Sequence, residues 1–378
     1  MMPASLRHPR PASIMAYRLG IALLFVAILS ANVFFVPSAS ADDKDQQPST
    51  QSIHPIVQTV GNGPIVIAHG GASAYLPEHT PEATTLAHAM AADFIGLSVV
   101  LSKDKIPIVL HDITLNGSTN VAEVFADRAI AGKHFAFDFT LEELRQLNVT
   151  ERHAKQGRFP KGQGRFRIST LAEHLQLIQG LNHSRSKTTG VSIELKQPAR
   201  HKKQGFDLSQ AVLTVISEFG YKTNKDNIFV QCFDEDEIKR LRTEFQCRLP
   251  LIQMYGKRPS QQTLNDISKF ADGIGIPVER LIEPTATGGI QVNDFVQKAH
   301  DVVLQVHAGT FQADQLPPWA ATADELLHLL FHDARIDGLI SSHPDIVIKY
   351  LEKTERREIE RGPFHLLNGN GNGNGNGK

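Results

Sequence analysis

The chain has 378 residues, with 39 basic against 40 acidic side chains and a formal net charge of −1 at pH 7. A near-neutral chain without a basic patch interleaved with aromatic residues excludes nucleic acid as a favoured partner, and it offers no electrostatic argument for a strongly charged protein partner. The length allows two or three domains, although barrels of this size routinely form one.

The first predicted element is a secretory signal peptide over residues 1–41. Three arginines precede an apolar run at 19–36, and the small-x-small sequence at 39–41 follows it. Cleavage is expected before Asp42, which predicts a secreted or periplasmic protein with no stable membrane span. An uncleaved membrane anchor is the alternative, because the run approaches spanning length. The polar residues 42–60 are expected to form a flexible lead-in.

A short apolar run with no polar alternation predicts a buried parallel strand that ends at His69. Gly70 and Gly71 allow the backbone to turn sharply after it and to approach a ligand closely. Thr80 as N-cap and Pro81 at the first helical position then predict the start of a helix.

Residues 94–101 and 106–111 flank a polar turn and predict a β-hairpin. With the hairpin centred between Asp104 and Lys105, Ser98 is expected opposite His111, on a face shared with Gly96. Asp112, the next residue along a strand, is expected to point away. The face that should line a site therefore carries a histidine but no acid.

Nearly 80 residues separate His111 from the next predicted strand, too many for a bare loop in a compact domain. Residues 114–168 are predicted to form an insertion beside the barrel mouth. Two capping boxes, Thr140 with Glu143 and Thr170 with Glu173, each predict a helix. Basic residues of the insertion either contact an anionic ligand or, as we favour, are solvated surface charge; they are Arg152, Arg158, Arg165 and Arg167.

Later predicted strands alternate with helical stretches, which is typical of βαβ units around a parallel sheet. Those strands are at 190–195, 228–233, 249–254, 273–277, 302–306 and 338–340. The predicted fold is α/β, a TIM (β/α)8 barrel over residues 61–355 with the insertion after the third strand and catalytic positions at the carboxyl ends of strands. The tail at 356–378, which ends in Asn-Gly repeats, is expected to be disordered.

The chain has two cysteines, Cys232 near the top of a strand and Cys247 at the far end of the following helix. That helix separates them by more than a disulfide can span, so two unpaired thiols are predicted. Cys232 as a nucleophile is possible in principle, but a buried and inert thiol is the favoured interpretation.

Several sequence blocks occur in a characteristic order. They are HGGASAYLPEHT at 69–80, HD at 111–112, QGRFP at 156–160, LIQGLNHS at 177–184, IELKQP at 193–198, VQCFDEDEIKRL at 230–241, ADGIGIP at 271–277 and GLISSHPD at 338–345. This arrangement resembles the glycerophosphodiester phosphodiesterases of the periplasmic type over residues 64–353. The resemblance implies hydrolysis of glycerophosphodiesters to glycerol 3-phosphate and an alcohol. It also implies that His69 and His111 act as acid and base, that a cationic side chain binds the phosphate, and that Ca²⁺ or Mg²⁺ is bound.

The chain departs from this pattern at the site. Gly70 stands where the family has arginine, and Gly96 and Ser98 stand where it has a Glu-x-Asp pair. Of the metal ligands that the resemblance implies, Glu194 is the only one present in this chain. One carboxylate supplies too few oxygen ligands for a hard cation. Further departures are Asn116-Gly117, Gln312 and Ser342.

Glu194 should point inward from a buried strand and therefore needs a partner, for which Lys196 on the same face is the candidate. Lys196 could also bind phosphate as a point charge. A metal-ligand role for Glu194 and a purely structural ion pair are both open. These observations predict a catalytically impaired member of the family that needs no cofactor, and a small anionic ligand and a protein partner are the candidates for what it binds. The alternative is an active phosphodiesterase, with Ca²⁺ or Mg²⁺ if a metal is bound.

Overall fold

The computed structural model of the chain describes residues 63–152, 165–285 and 289–361. The predicted signal peptide at 1–41 and lead-in at 42–60 lie outside the described residues, as do Arg158 and residues 362–378 of the predicted tail. The final helix continues to Arg361, so it includes the start of the segment predicted as disordered tail. Within the described segments, no helix combines the length and apolarity that crossing a membrane requires.

Eleven strands are present in the described residues. They are β1 (Ile65–His69), β2 (Phe94–Leu101), β3 (Pro107–Val109), β4 (Gly190–Leu195), β5 (Ile228–Cys232), β6 (Leu251–Met254), β7 (Gly273–Pro277), β8 (Ile282–Pro284), β9 (Ile290–Val292), β10 (Gln305–Phe311) and β11 (Gly338–Ser341). All except β3, β8 and β9 are parallel and follow the order β1-β2-β4-β5-β6-β7-β10-β11, and pairing of β11 with β1 closes the barrel. This is the predicted TIM (β/α)8 barrel.

Helices cover the outside of the barrel and the loops at its ends. They are α1 (Pro81–Ala89), α2 (Val121–Val124), α3 (Leu141–Leu144), α4 (Leu171–Arg185), α5 (Pro198–Lys203), α6 (Leu208–Glu218), α7 (Glu235–Thr243), α8 (Gln261–Ile267), α9 (Phe295–His300), α10 (Ala323–His328) and α11 (Pro344–Arg361). Strand β10 begins later than predicted, because Val303 takes a left-handed conformation (φ 61°) and ends the turn after α9.

The β2–β3 hairpin has a different register from the predicted one. Val99 pairs with Val109, and Ser98 O accepts a hydrogen bond from Leu110 N (2.9 Å), so Ser98 does not lie opposite His111. The turn has three residues, 103–105, rather than the predicted four at 102–105, because Ser102 N donates to Ile106 O (3.1 Å) and Lys105 is left-handed (φ 63°). Three-residue hairpin loops commonly end in this conformation. A shift of one residue moves each side chain of β3 to the other face.

The shifted register joins the insertion to the barrel. Ile108 and Leu110 of the hairpin pack with Val100 and with buried residues of the insertion in a second hydrophobic cluster, whose other members include Leu115, Val121, Phe139, Leu144 and Leu147. Both predicted capping boxes form: Thr140 caps α3 with Glu143, and Thr170 caps α4 with Glu173. The insertion is therefore held in place by a core of its own.

The inside of the barrel changes from apolar to polar along the strands. Its lower layers hold Ile65, Ile67, Phe94, Phe229, Ile252 and Ile340. The inward-facing side chains nearer the carboxyl ends are His69, Ser98 and Glu194, and Ser98 Oγ and Glu194 Oε2 lie 3.1 Å apart. This polar end is where TIM barrels carry their sites.

Candidate active site

His69 and His111 lie side by side at the carboxyl end of the barrel. His69 is the last residue of β1, His111 follows β3, and their ring centroids are 5.6 Å apart. Both line a cavity of about 540 Å³, which is in the range of small-molecule sites. Burial lowers the pKa of His69 to about 4, so its imidazole is neutral at pH 7.

Asp112 orients His111, contrary to the prediction that it points away. The strand ends at Val109, so residues 111 and 112 are not bound to strand alternation, and Asp112 Oδ1 lies 2.8 Å from His111 Nδ1. The hydrogen bond from His111 lowers the pKa of Asp112. A carboxylate beside Nδ1 favours the tautomer that is protonated at Nδ1, so Nε2 remains available to contact a ligand.

A third histidine, which the sequence did not single out, packs against this pair. The ring of His79 lies 6.1 Å from that of His111 and 6.4 Å from that of His69. Its backbone is left-handed (φ 63°), and neither ring nitrogen has a hydrogen-bond partner among the described residues. Burial lowers the pKa of His79 well below its usual value, so this ring is also uncharged at pH 7.

Glu194 has the partner that the sequence predicted. Lys196 Nζ lies 2.9 Å from Glu194 Oε1, while Ser98 Oγ donates to Oε2 at 3.1 Å. Glu194 and Lys196 line a neighbouring cavity of about 820 Å³ that Asp112 also borders. The predicted site residues are thus divided between two cavities that meet at the His111–Asp112 pair.

The backbone is close-packed at two positions where the resemblance expects larger residues. Gly70 has a left-handed conformation (φ 61°), and a Cβ there would lie 2.9 Å from Glu78 Cβ. A Cβ on Gly96 would lie 3.1 Å from Ala68 O. The left-handed backbone at position 70 therefore favours glycine, whereas a side chain at position 96 would require the Ala68 carbonyl to shift by a few tenths of an ångström.

The described residues do not fit the divalent cation that the resemblance implies. Positions 96 and 98 supply no carboxylate, and both oxygens of Glu194 already accept hydrogen bonds from Lys196 and Ser98. In the described segments, no group of three or more His, Cys, Asp or Glu side chains is placed to hold a metal ion. A hard cation needs more oxygen ligands than this arrangement offers.

Glu78 and Arg152 form a buried, bidentate ion pair in the first cavity. Arg152 Nε and Nη2 donate to Glu78 Oε1 and Oε2 at 2.6 and 3.1 Å. Burial by itself would raise the pKa of Glu78, but the hydrogen bonds from Arg152 outweigh it and the pKa is lowered. Sequence reasoning had favoured surface charge for Arg152. Arg165 and Arg167 are exposed, as surface charges are, and Arg167 Nη1 donates to Arg145 O (2.6 Å). The largely buried Arg152 does not fit that interpretation.

The remaining departures have different surroundings. Gln312 and Ser342 line the first cavity with the histidines. Asn116 Oδ1 instead accepts a hydrogen bond from His134 N (2.8 Å) inside the insertion. Their positions make Gln312 and Ser342 candidates for ligand contact, whereas Asn116 stabilises a loop.

Both cysteines are free and buried, as predicted. Cys232 Sγ donates to Leu195 O (3.3 Å), and burial raises the pKa of its thiol to about 12. A thiol that stays protonated at pH 7 is a poor nucleophile. Cys232 therefore has a structural role.

Residues 69–346 match the model of the Glycerophosphoryl diester phosphodiesterase family. The chain belongs to this family. It is 32% identical over 330 residues to a glycerophosphodiester phosphodiesterase of Treponema pallidum, a match that covers 77% of this chain and 93% of that protein. It is 31% identical over 326 residues to one of Haemophilus influenzae, covering 76% and 90% respectively.

Solved structures of other proteins share the barrel fold of this chain. One is a phosphodiesterase of Oleispira antarctica in complex with the product sn-glycerol-3-phosphate (TM-score 0.56, 19% identity, covering 76% of this chain and 97% of that one). Another is a glycerophosphodiester phosphodiesterase of Agrobacterium tumefaciens (TM-score 0.52, 18% identity, covering 76% and 99%). At these identities the likeness supports the barrel fold alone.

Proposed function

We propose that the chain hydrolyses glycerophosphodiesters to glycerol 3-phosphate and an alcohol in the cavity that His69 and His111 line. The observation that carries the proposal is the histidine pair, with centroids 5.6 Å apart at the catalytic end of the barrel. The family membership and the names of the relatives support the same reaction. The product bound to the Oleispira antarctica phosphodiesterase is consistent with this substrate class.

The two histidines suit opposite proton transfers. His69, neutral because of its low pKa, accepts the proton of the attacking water as the new phosphorus–oxygen bond forms. His111, whose ring the hydrogen bond from Nδ1 to Asp112 holds in place, donates a proton to the alcohol oxygen as its bond to phosphorus breaks. Water is thereby added across the bond, and the protons on the two histidines are restored by exchange with solvent.

The surroundings of Glu194 favour a second candidate function, ligand binding with impaired catalysis. Its carboxylate is satisfied by Lys196 and Ser98 rather than left open to a metal, and positions 96 and 98 offer no further acid. A site of this kind suits a catalytically impaired member that binds a glycerophosphodiester or another small anionic ligand. The family pattern has an arginine at position 70 and acids at positions 96 and 98, which this chain lacks. Loss of one contact that stabilises the transition state typically lowers the rate about 10²- to 10³-fold.

Turnover of glycerophosphocholine, followed by phosphorus NMR, separates the two functions. We expect glycerol 3-phosphate to form with the wild-type chain and not with His69→Gln or His111→Gln. Exposed His183 provides a control, and His183→Gln should behave as wild type. Binding of glycerophosphocholine without turnover would favour the impaired member, and absence of both would reject this substrate class.

We also propose that the protein is exported, which rests on the N-terminal sequence alone. The apolar run at 19–36 and the small-x-small sequence at 39–41 support cleavage before Asp42. The mass of the protein recovered from the cell envelope or medium tests this. The mass expected after removal of residues 1–41 supports export, and the full-length mass contradicts cleavage.

A further inference from the structure

We infer that Arg152, a residue of the insertion, binds the phosphate group of the ligand in the first cavity. This inference rests on the proposed function and assigns a residue to it. Among the described residues that line the cavity, Arg152 is the one lysine or arginine, and it shares the cavity with His69 and His111. The same lining holds the carboxylates of Glu78, Glu151 and Asp314. A phosphate cannot approach these acids favourably without a cation beside it.

The guanidinium is held with part of its donor edge available. Glu78 accepts from Nε and Nη2, so this carboxylate does not engage Nη1. The side chain of Arg152 is 18% exposed and that of Glu78 10%, so the pair is buried but open to the cavity. A guanidinium carries five N–H donors in a fixed plane, so two parallel bonds to a carboxylate leave further donors for a phosphate oxygen.

The charge of Arg152 also reaches the reacting groups. Burial is the main cause of the low pKa of His69, and the hydrogen bond from His111 is the main cause of the low pKa of Asp112; the charge of Arg152 lowers both pKa values further. Both side chains pass close to Gly117: a Cβ there would lie at ordinary contact distance from Arg152 Cγ (3.7 Å) and from Asp112 Oδ2 (3.8 Å). A phosphate beside Nη1 would therefore lie within electrostatic reach of the histidine proposed as base.

Lys196 is another cation at the barrel mouth, but its position is less suitable. It lines the second cavity, and its ammonium is already 2.9 Å from Glu194. Glu78 instead acts as a positioning residue, because it fixes the plane of the Arg152 guanidinium through Nε and Nη2 and does not engage Nη1. The insertion thus contributes a binding group to the barrel mouth.

Calorimetric titration of the full chain with inorganic phosphate and with sn-glycerol 3-phosphate tests the inference. Arg152→Gln should weaken binding of both about 10- to 100-fold, the usual effect of losing a hydrogen bond to a charged group. Arg152→Lys, which keeps a point charge but not the planar donors, should fall between Arg152→Gln and wild type. Arg165→Gln is the matched control, since Arg165 is an exposed arginine of the same insertion, and it should bind as wild type.

Thermal unfolding of each variant separates binding from folding. If Arg152→Gln unfolds because Glu78 is left unpaired, the double variant Glu78→Gln/Arg152→Gln removes both charges and is titrated in its place. Wild-type affinity in a folded Arg152→Gln or double variant would overturn the inference while the proposed function stood. If the wild-type chain neither binds these two ligands nor hydrolyses glycerophosphocholine, the proposed function fails and the inference fails with it.

Discussion

Lys196 Nζ lies 2.9 Å from Glu194 Oε1, on a carboxylate whose other oxygen accepts a hydrogen bond from Ser98. The barrel mouth therefore satisfies its innermost acid with protein donors. Of the three positions that the family pattern assigns to a metal, only 194 carries a carboxylate in this chain, and both of its oxygens already accept hydrogen bonds. The proposed reaction therefore depends on the histidines and on fixed cationic side chains.

Substitution of Lys196 by methionine should destabilise the protein. Glu194 would remain buried without its cation, and breaking a buried pair from one side typically costs about 3 kcal/mol or more. The double variant Lys196→Met/Glu194→Gln should recover most of this loss, because it removes both charges. Urea unfolding of the wild type, Lys196→Met, Glu194→Gln and the double variant measures the coupling. A loss in the double variant equal to the sum of the two single losses would show that the pair has no stabilising interaction.

Gly70→Ala should be more destabilising than Gly132→Ala. Both glycines are left-handed (φ 61° and 74°), but a Cβ at position 70 would lie 2.9 Å from Glu78 Cβ, whereas a Cβ at position 132 has nothing within 4 Å. Each substitution carries the roughly 1–2 kcal/mol strain of a left-handed residue, and position 70 adds the contact. Denaturant titration compares them. Losses of the same size would mean that Glu78 moves aside easily and that arginine could be introduced at position 70.

Stability should fall in acid partly because of His307. Burial lowers its folded-state pKa to about 4, against 6.5 for the unfolded side chain, so the unfolded chain takes up a proton as pH falls from 6.5 towards 4 while the folded chain does not. This one group removes about 1.4 kcal/mol per pH unit in that window, and its contribution is fully present above pH 6.5. His307→Gln should reduce the pH slope of the unfolding free energy by that amount. An unchanged slope would show that His307 is charged in the folded state.

The pH profile of turnover should report the low pKa of His69. A base with a pKa of about 4 remains unprotonated through most of the acid range, so kcat/KM should retain its value at pH 5.5 and decline towards pH 4. Initial rates with glycerophosphocholine over this range provide the test. A decline centred near pH 6.5 would assign the essential base to a histidine in a more ordinary environment.

The barrel was predictable because its signals are local and repeated. Uninterrupted apolar runs alternating with capped helices gave the strand and helix order, and the bounds of β2, β4 and β7 agree with the prediction. The two capping boxes have a mechanism that depends on four consecutive residues, and both are present. The ion pair between Glu194 and Lys196 followed from strand alternation and from the need to compensate a buried charge.

The details of the site depended on features that the sequence does not display locally. The hairpin register turned on the left-handed Lys105, and a lysine gives no signal for that conformation. Asp112 was misplaced because the strand ends before it. The pairing of Arg152 with Glu78 joins residues 74 positions apart, and nothing in either segment distinguishes this arginine from a surface charge.

In the proposed reaction the histidine pair, rather than a divalent cation, carries out hydrolysis in this barrel. The most direct test is the rate of glycerol 3-phosphate formation from glycerophosphocholine by purified protein, measured with excess EDTA and again with excess Ca²⁺ or Mg²⁺. We predict the same rate in all three conditions, and loss of that rate in His69→Gln. A rate that appears only with added cation, or that persists in His69→Gln, would contradict the account.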